Sequence, residues 1–422
     1  MKVLIVNTSE WTGGAAVAAS RLREALTNHG VKVKMLVCDK QSGDLSVVKC
    51  GGSVQRRWNF LIERLVIWVN NLFSRENLFK VSIANAGFDI TSTREFQEAD
   101  IIHLHWVNQG MLSLKGLKKI LQSGKPVVWT LHDMWPLTAI CHHAYECDHY
   151  KQACGNCFFL RRPSAADLSS RVFKKKKRML NLLPQTAEAG GRLHFVAVSQ
   201  WLAERTRQSA LTGRFPVSVI PNVLSLQQFT IIDRMDARSA LQVDARYVIA
   251  FGAARIDDPI KGFGHLAEAL GLLVSSGRYA ASDFRLLLFG HIRDASVLGA
   301  IPVPYTHLGY VDDVYELSEV YSAANVTVSS SLYETFGQTL IEAMACGSVP
   351  VSFDGSGQTD IISHQKNGYL ARRLSAQSLA EGIDWALHCQ LTAQELRRCV
   401  MRRYSETVVA SQYVKLYDSF LK

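Results

Sequence analysis

At 422 residues the chain is too long for one ordinary hydrophobic core, so two domains are expected. Its 48% hydrophobic and 20% charged residues describe a soluble globular protein with a large interior, and no run of eighteen apolar residues offers a membrane-spanning helix. The net charge of +10 is unevenly placed, with 29 Lys and Arg against 16 Asp and Glu in residues 1–210 and 18 against 21 in residues 211–422. The first half therefore points at something anionic: nucleic acid, phospholipid headgroups or a phosphorylated substrate.

The opening MKVLIVNTSE runs directly into a strand and turn and has no small-residue cleavage site, so no secretory signal is expected. KVLIVN is a short apolar strand. TSEWTGGAAVAASRLREALTNHG is a glycine-containing turn feeding an amphipathic helix, and VKVKMLVC is a second strand. This is the start of an open parallel α/β sheet. The alternation continues at ADIIHLHW, KPVVWTLHD and LHFVAVS. After VSVIPNV it restarts with YVIAFGAA, FRLLLFGH, TVSSS and SVPVSF. Two tandem runs predict two doubly wound domains facing each other, residues 1–215 and 216–400. Residues 401–422 read as a helix crossing back to the first domain. No solenoid-length repeat or low-complexity tract is visible.

One insertion breaks the pattern. SVQRRWNFLIERLVIWVNNLF (53–73) is apolar at helical spacing, with Arg56, Arg57 and Arg64 along it. It fits a helix packed over the sheet or one lying on an anionic membrane surface. FKKKKRML (173–180) invites the same membrane comparison, although such a charge run reads first as a solvated helix face.

The chemistry concentrates in SSSLYETFGQTLIEAMACGSVPV (329–351). Glu334 falls in a loop at the carboxyl end of a strand, the edge where doubly wound sheets collect ligands. The amides of Phe336, Gly337 and Gln338 open a helix whose dipole end suits phosphate. Gly337 lets an anion approach the backbone. Glu342, about two turns on, can share a helix face with Glu334 and accept two hydrogen bonds from a vicinal diol such as ribose. Arg255 and Lys261, in FGAARIDDPIKGF, supply two cations at a strand end, as a pyrophosphate needs. HLGYVDD offers Gly309 and the main chain of Tyr310 and Val311 for reading a base edge.

Together these strings, from GAARIDDPIKGF through LGYVDDVYELSEVYSAANVTVSSSLYETFGQTLIEAMACGSVPVSFDGSGQTDII, resemble the second domain of retaining glycosyltransferases of family 4 over roughly residues 248–371. The resemblance implies a GT-B fold, two Rossmann-like domains across a cleft, with a nucleotide-diphosphate sugar as donor and no catalytic cofactor. The family's E-x7-E motif falls on Glu334, which would hold donor-sugar hydroxyls, and Glu342, which would hold the ribose. Phe336 and Gly337 would lie beside the diphosphate, with Arg255 and Lys261 as its phosphate-binding pair. More loosely, Gly13 and Gly14 resemble the glycine turn near the donor phosphates and acceptor. His132 resembles the histidine facing the donor sugar. Ser199 and Asn222 match signposts near the interdomain cleft, although a helix N-cap explains Ser199 equally well.

A double displacement would need a carboxylate under the anomeric carbon, and Asp133 is the one tempting acid in the first half. The resemblance implies front-face attack instead, with Arg255, Lys261 and the helix start stabilising the departing diphosphate.

Four of nine cysteines, Cys141, Cys147, Cys154 and Cys157, fall within CHHAYECDHYKQACGNC with His142, His143 and His149. In a reducing compartment such spacing favours a closed structural zinc site over free thiols or disulfides. The preferred reading is a cytoplasmic retaining glycosyltransferase, peripheral at an anionic membrane, that serves a glycan or lipid-pyrophosphate-linked acceptor in surface polysaccharide or lipopolysaccharide assembly. A sugar-nucleotide epimerase on the same scaffold is its rival within enzymes. A basic, zinc-containing nucleic-acid-binding protein is the rival from another class; it leaves Glu334, Glu342, Arg255 and Lys261 unexplained, so no nucleic-acid partner is expected.

Overall fold

The computed structural model describes residues 1–184 and 191–421. The chain divides into two compact units, Met1–Ile220 with Ala410–Lys422, and Pro221–Val409. In the first, β1 (Lys2–Ser9), β2 (Lys32–Asp39), β3 (Val47–Lys49), β4 (Ile101–Leu104), β5 (Val127–Leu131), β6 (Leu193–Ala197) and β7 (Val217–Val219) form one sheet in the order β3-β2-β1-β4-β5-β6-β7. In the second, β8 (Tyr247–Arg255), β9 (Phe284–His291), β10 (Tyr305–His307), β11 (Val326–Ser329), β12 (Val349–Phe353) and β13 (Tyr369–Ala371) run β10-β9-β8-β11-β12-β13.

Every strand pairing in both sheets is parallel. Parallel strands have both faces covered, which is why Val3–Val6 and Val349–Phe353 are apolar or small without alternation and are buried throughout. Strand order reverses between β1 and β4 and between β8 and β11. The crevice at the carboxyl ends of such a pair is where these sheets take ligands.

Two expectations change. Helix Ser53–Asn70 does not turn its apolar side to the sheet: it buries Glu63, Arg64 and Ile67 and leaves its apolar stripe exposed. The basic run 173–180 is not wholly solvated either. Within helix Leu168–Leu180, Lys176 is only 2% exposed, donating to Trp135 O (2.6 Å) and Thr138 O (3.1 Å) with its ammonium 3.4 Å from the Trp135 ring centre. Burial pushes its pKa down to about 7.

The C-terminal residues form two helices, Ala393–Tyr404 and Glu406–Leu421. They part at Ser405, where Leu224 N–H takes the Tyr404 carbonyl (2.8 Å) and the backbone turns extended. Within the first unit the last helix is fixed to the sheet by polar contacts. Tyr417 OH meets His103 Nδ1 (2.7 Å) and Tyr413 OH meets Thr130 Oγ1 (2.9 Å).

Candidate active site

In the second unit the sequence-predicted residues gather after β8 and β11, the two strands flanking the reversal of order. Asp258 caps the short turn Pro259–Lys261 by accepting from Ile260 N–H (3.2 Å). Gly262 then takes φ +66°, and a Cβ there would lie 2.1 Å from the Ser330 carbonyl. Only glycine lets the two loops touch. Ser330 Oγ donates to the carbonyls of Lys261 (3.2 Å) and Gly262 (2.9 Å), and Leu332 N–H to Ile260 O (2.8 Å). This stitching sets Lys261 Nζ 2.9 Å from Glu334 Oε2. Burial alone would lower the Lys261 pKa; the Glu334 carboxylate more than offsets it and raises the pKa, so Lys261 is a full cation.

Behind Glu334 stands a loop that the sequence reading did not single out. The Glu334 amide donates to Ser356 Oγ (3.1 Å) and its carbonyl accepts from Gly357 N–H (2.7 Å). A Cβ on Gly357 would meet the Thr335 carbonyl at 2.2 Å. The FDGSGQTD string was the available signal.

Helix Gln338–Ala345 starts at Gly337, with φ +111°. Phe336 is buried beneath it, edge-on to Tyr404 at 5.7 Å. Among the described residues none accepts from the Phe336 or Gly337 amide, and both donors stand at the positive end of the helix. Gln338 is the first helical residue.

Glu342 is no surface charge. It is 7% exposed, and its Oε2 accepts from the fully buried Tyr321 OH at 3.0 Å. Arg255 ends β8 after an irregularity in the β8–β9 pairing, with Nε 3.4 Å from Asp257 Oδ1. Gly309 lends its carbonyl to Gly290 N–H (2.6 Å). Tyr310, expected to act through its main chain, also presents an exposed ring stacked on His291 at 4.7 Å and 4°; Val311 is half-buried beside it.

In the first unit Gly13 (φ +91°) and Gly14 open helix Gly14–Asn28 and are both exposed. Ser199 caps helix Gln200–Gln208, accepting from Leu202 N–H (3.3 Å), and Asn222, in the second unit, is buried. His132 follows β5, its Nε2 2.8 Å from His105 Nδ1 with the rings stacked at 5.1 Å. His105 in turn packs on His103 at 4.3 Å, and His103 Nε2 meets Thr130 Oγ1 (2.7 Å). Burial lowers all three pKa values, His103 to about 3, His132 to about 4 and His105 well below the usual range. The HLHW string, with histidines two apart on one strand face, held that signal.

Asp133 is fully engaged: Oδ2 accepts from Trp106 Nε1 (2.7 Å) and His142 Nδ1 (2.5 Å), Oδ1 from Trp135 N–H (2.8 Å). Burial would raise its pKa, but His142 and the other donors hold it below the usual carboxylate value. Cys141, Cys147, Cys154 and Cys157 are free thiols, and among the described residues no three His, Cys, Asp or Glu side chains converge as a metal-ligand set.

The Glycosyltransferase Family 4 model matches residues 12–228 and the Glycosyl transferases group 1 model residues 300–403. Arg255 and Lys261 lie outside both matches. The phosphatidyl-myo-inositol mannosyltransferase of Mycobacterium tuberculosis is 31% identical over 235 residues, covering 53% of this chain and 59% of that protein. A Campylobacter jejuni N,N'-diacetylbacillosaminyl-diphospho-undecaprenol alpha-1,3-N-acetylgalactosaminyltransferase is 30% identical over 119 residues, 28% of this chain and 31% of that one. The matches thus span less than two thirds of these relatives' length. Among solved structures, sucrose-phosphate synthase from Thermosynechococcus elongatus shares the fold at TM-score 0.66 and 20% identity, over 100% of this chain and 99% of that one.

Proposed function

Since the chain belongs to glycosyltransferase family 4 and has the GT-B fold, we propose that it is a retaining hexosyltransferase. In this reading it moves a sugar from a UDP- or GDP-sugar to a glycan or lipid-linked acceptor in surface polysaccharide or lipopolysaccharide assembly. The observation that carries the reading is the Lys261–Glu334 pair at the β8/β11 reversal, beside the Phe336 and Gly337 amides. A cation and a helix start suit a diphosphate, and the adjacent carboxylate suits sugar hydroxyls. The names of both curated relatives, one phosphatidyl and one diphospho-undecaprenol, speak for a lipid-bearing acceptor.

The engagement of Asp133 by three donors speaks against a carboxylate nucleophile beside His132 and for front-face attack. The donor's anomeric C–O bond to diphosphate breaks, the acceptor oxygen takes its place, and the acceptor proton passes to a diphosphate oxygen. Lys261, Arg255 and the helix start stabilise the charge left on that group. From the first unit the reading takes His132 as a neutral imidazole acting on the sugar. A structural zinc on Cys141, Cys147, Cys154 and Cys157 would be a closed site that takes no part in the transfer step.

Calorimetric titration and thermal melting with a panel of UDP- and GDP-sugars test the proposal, since a ligand of the folded state raises apparent stability. No response to any member rejects it. A responding donor that is epimerised without transfer favours the epimerase.

A further inference from the structure

Helix Ser53–Asn70 is built inside out. Its inner face carries Glu63, fully buried, and Arg64, joined at 2.9 Å. Glu63 Oε1 accepts from the amides of Ile83 and Ala84 (2.8 Å each), and Arg64 Nη1 donates to the carbonyls of Leu78 and Val81. These contacts anchor the helix by polar groups, so its apolar residues are free to face outward. They do: Val54, Trp58 (61% exposed), Leu61, Ile62, Leu65 (54%) and Val69 form an outer stripe at intervals of three and four. Beyond the helix Leu72, Phe73 and Phe79 extend the ridge. Phe73 is held edge-on to Trp68 at 4.8 Å, and Phe79 stacks on Phe60 at 6.4 Å. A contiguous exposed apolar surface of this kind marks an interaction site.

The surroundings identify the partner by charge. Arg57, Arg75 and Lys80 are exposed along the ridge, against the single exposed acid Glu76. Arg161 and Arg171 are tied to its end, through the Arg161 amide to Asn71 Oδ1 (2.7 Å) and Arg171 Nη2 to Asn70 Oδ1 (2.6 Å). From 158 to 178 every exposed charged residue is basic. An exposed apolar stripe rimmed by cations fits a bilayer with anionic headgroups, which needs no complementary pocket. Among the described residues no helix is long and apolar enough to cross a membrane; this one has the make-up of a helix that lies in the interface.

We propose that the first unit docks on an anionic phospholipid bilayer, with the outer stripe of helix Ser53–Asn70 and Phe73 and Phe79 inserted among the headgroups and the flanking Arg and Lys over the surface. This goes beyond the transfer reaction and does not depend on it. The test is sedimentation of the purified full chain with vesicles of phosphatidylcholine alone and of equal parts phosphatidylcholine and phosphatidylglycerol. Co-sedimentation is expected with the anionic vesicles and is weakened by salt. Leu61→Glu with Leu65→Glu should abolish it, and Arg57→Glu should reduce partitioning at least about 5-fold at low salt. Leu61, Leu65 and Arg57 are all exposed, so the melting temperature of each variant alone should match the parent and serve as its folding control. Three results would overturn the proposal: no binding to anionic vesicles, equal binding to both kinds, or a vesicle-free dimer that the Leu61→Glu, Leu65→Glu variant dissolves.

Discussion

Lys261 Nζ stands 2.9 Å from Glu334 Oε2, an ion pair that joins the loops after β8 and β11 where the strand order reverses. Both side chains are partly exposed, so solvent screens the pair and it adds about 1 kcal/mol to stability. A pair that contributes so little to folding suits binding better. Lys261→Ala and Glu334→Ala should each lower transfer at least about 100-fold, the scale set by removing one preorganised electrostatic group. Melting temperatures should fall only by about 2–4 °C. Near-normal turnover by either folded variant removes the assignment.

Tyr321 and Glu342 make a different kind of pair, buried and tied by one hydrogen bond of 3.0 Å. Here removal of a partner leaves a buried carboxylate one donor short, at a cost of about 1–3 kcal/mol. Tyr321→Phe should therefore melt several degrees lower than the parent. Glu342→Gln keeps the shape and loses the charge that would bind a ribose diol. It should raise the donor KM about 10-fold with kcat nearly unchanged, the pattern of lost uniform binding. An unchanged KM would take Glu342 out of the donor site.

The histidines of the first unit set an acid limit. Burial holds His103 at about 3 and His132 at about 4, with His105 well below its ordinary value, whereas the unfolded chain takes these protons near 6.5. Between those values the unfolded state binds more protons than the native one, so stability rises with pH. It is fully present above about pH 6.5 and drains as pH falls toward 4, by up to about 1.4 kcal/mol per unit for each histidine. Melting curves from pH 7 to 4 should show this slope, and His103→Gln, which cannot titrate, should flatten it. Equal slopes in parent and variant would show that the buried histidines do not set it.

The sheets were legible because strands covered on both faces read as nearly uninterrupted apolar runs, as in KVLIVN and YVIAFGAA. The three-residue strands β3, β7, β10 and β13 are too short to leave such a trace. Glu334 and Lys261 could be named from spacing and from their place after strands. The Tyr321 partner of Glu342, 21 residues upstream, had no local sign. Helix Ser53–Asn70 shows a deeper limit. Periodicity says that a helix has an apolar and a polar face, not which one turns inward, and here Glu63 and Arg64 find backbone partners that reverse the usual choice.

The proton between His105 and His132 can be placed from burial. Among the described residues His105 Nε2 is buried without a partner, so a proton there would be an orphaned donor, a larger penalty than an unused acceptor. The proton belongs on His105 Nδ1, donating to His132 Nε2 across 2.8 Å, which assigns His132 the tautomer protonated on Nδ1. His105 is then a positioning residue, and its loss acts through the ring it orients. His105→Asn can keep a donor near the Nδ1 position, whereas His105→Leu cannot. The leucine variant should lose about 10-fold more kcat than the asparagine variant at equal donor KM, a difference worth about 1.4 kcal/mol in the transition state. Nitrogen-15 shifts of His132 should show a protonated Nδ1 in the parent and in His105→Asn, and exchange between tautomers in His105→Leu. If both variants lose activity equally while the His132 spectrum stays unchanged, the histidine pair serves packing alone.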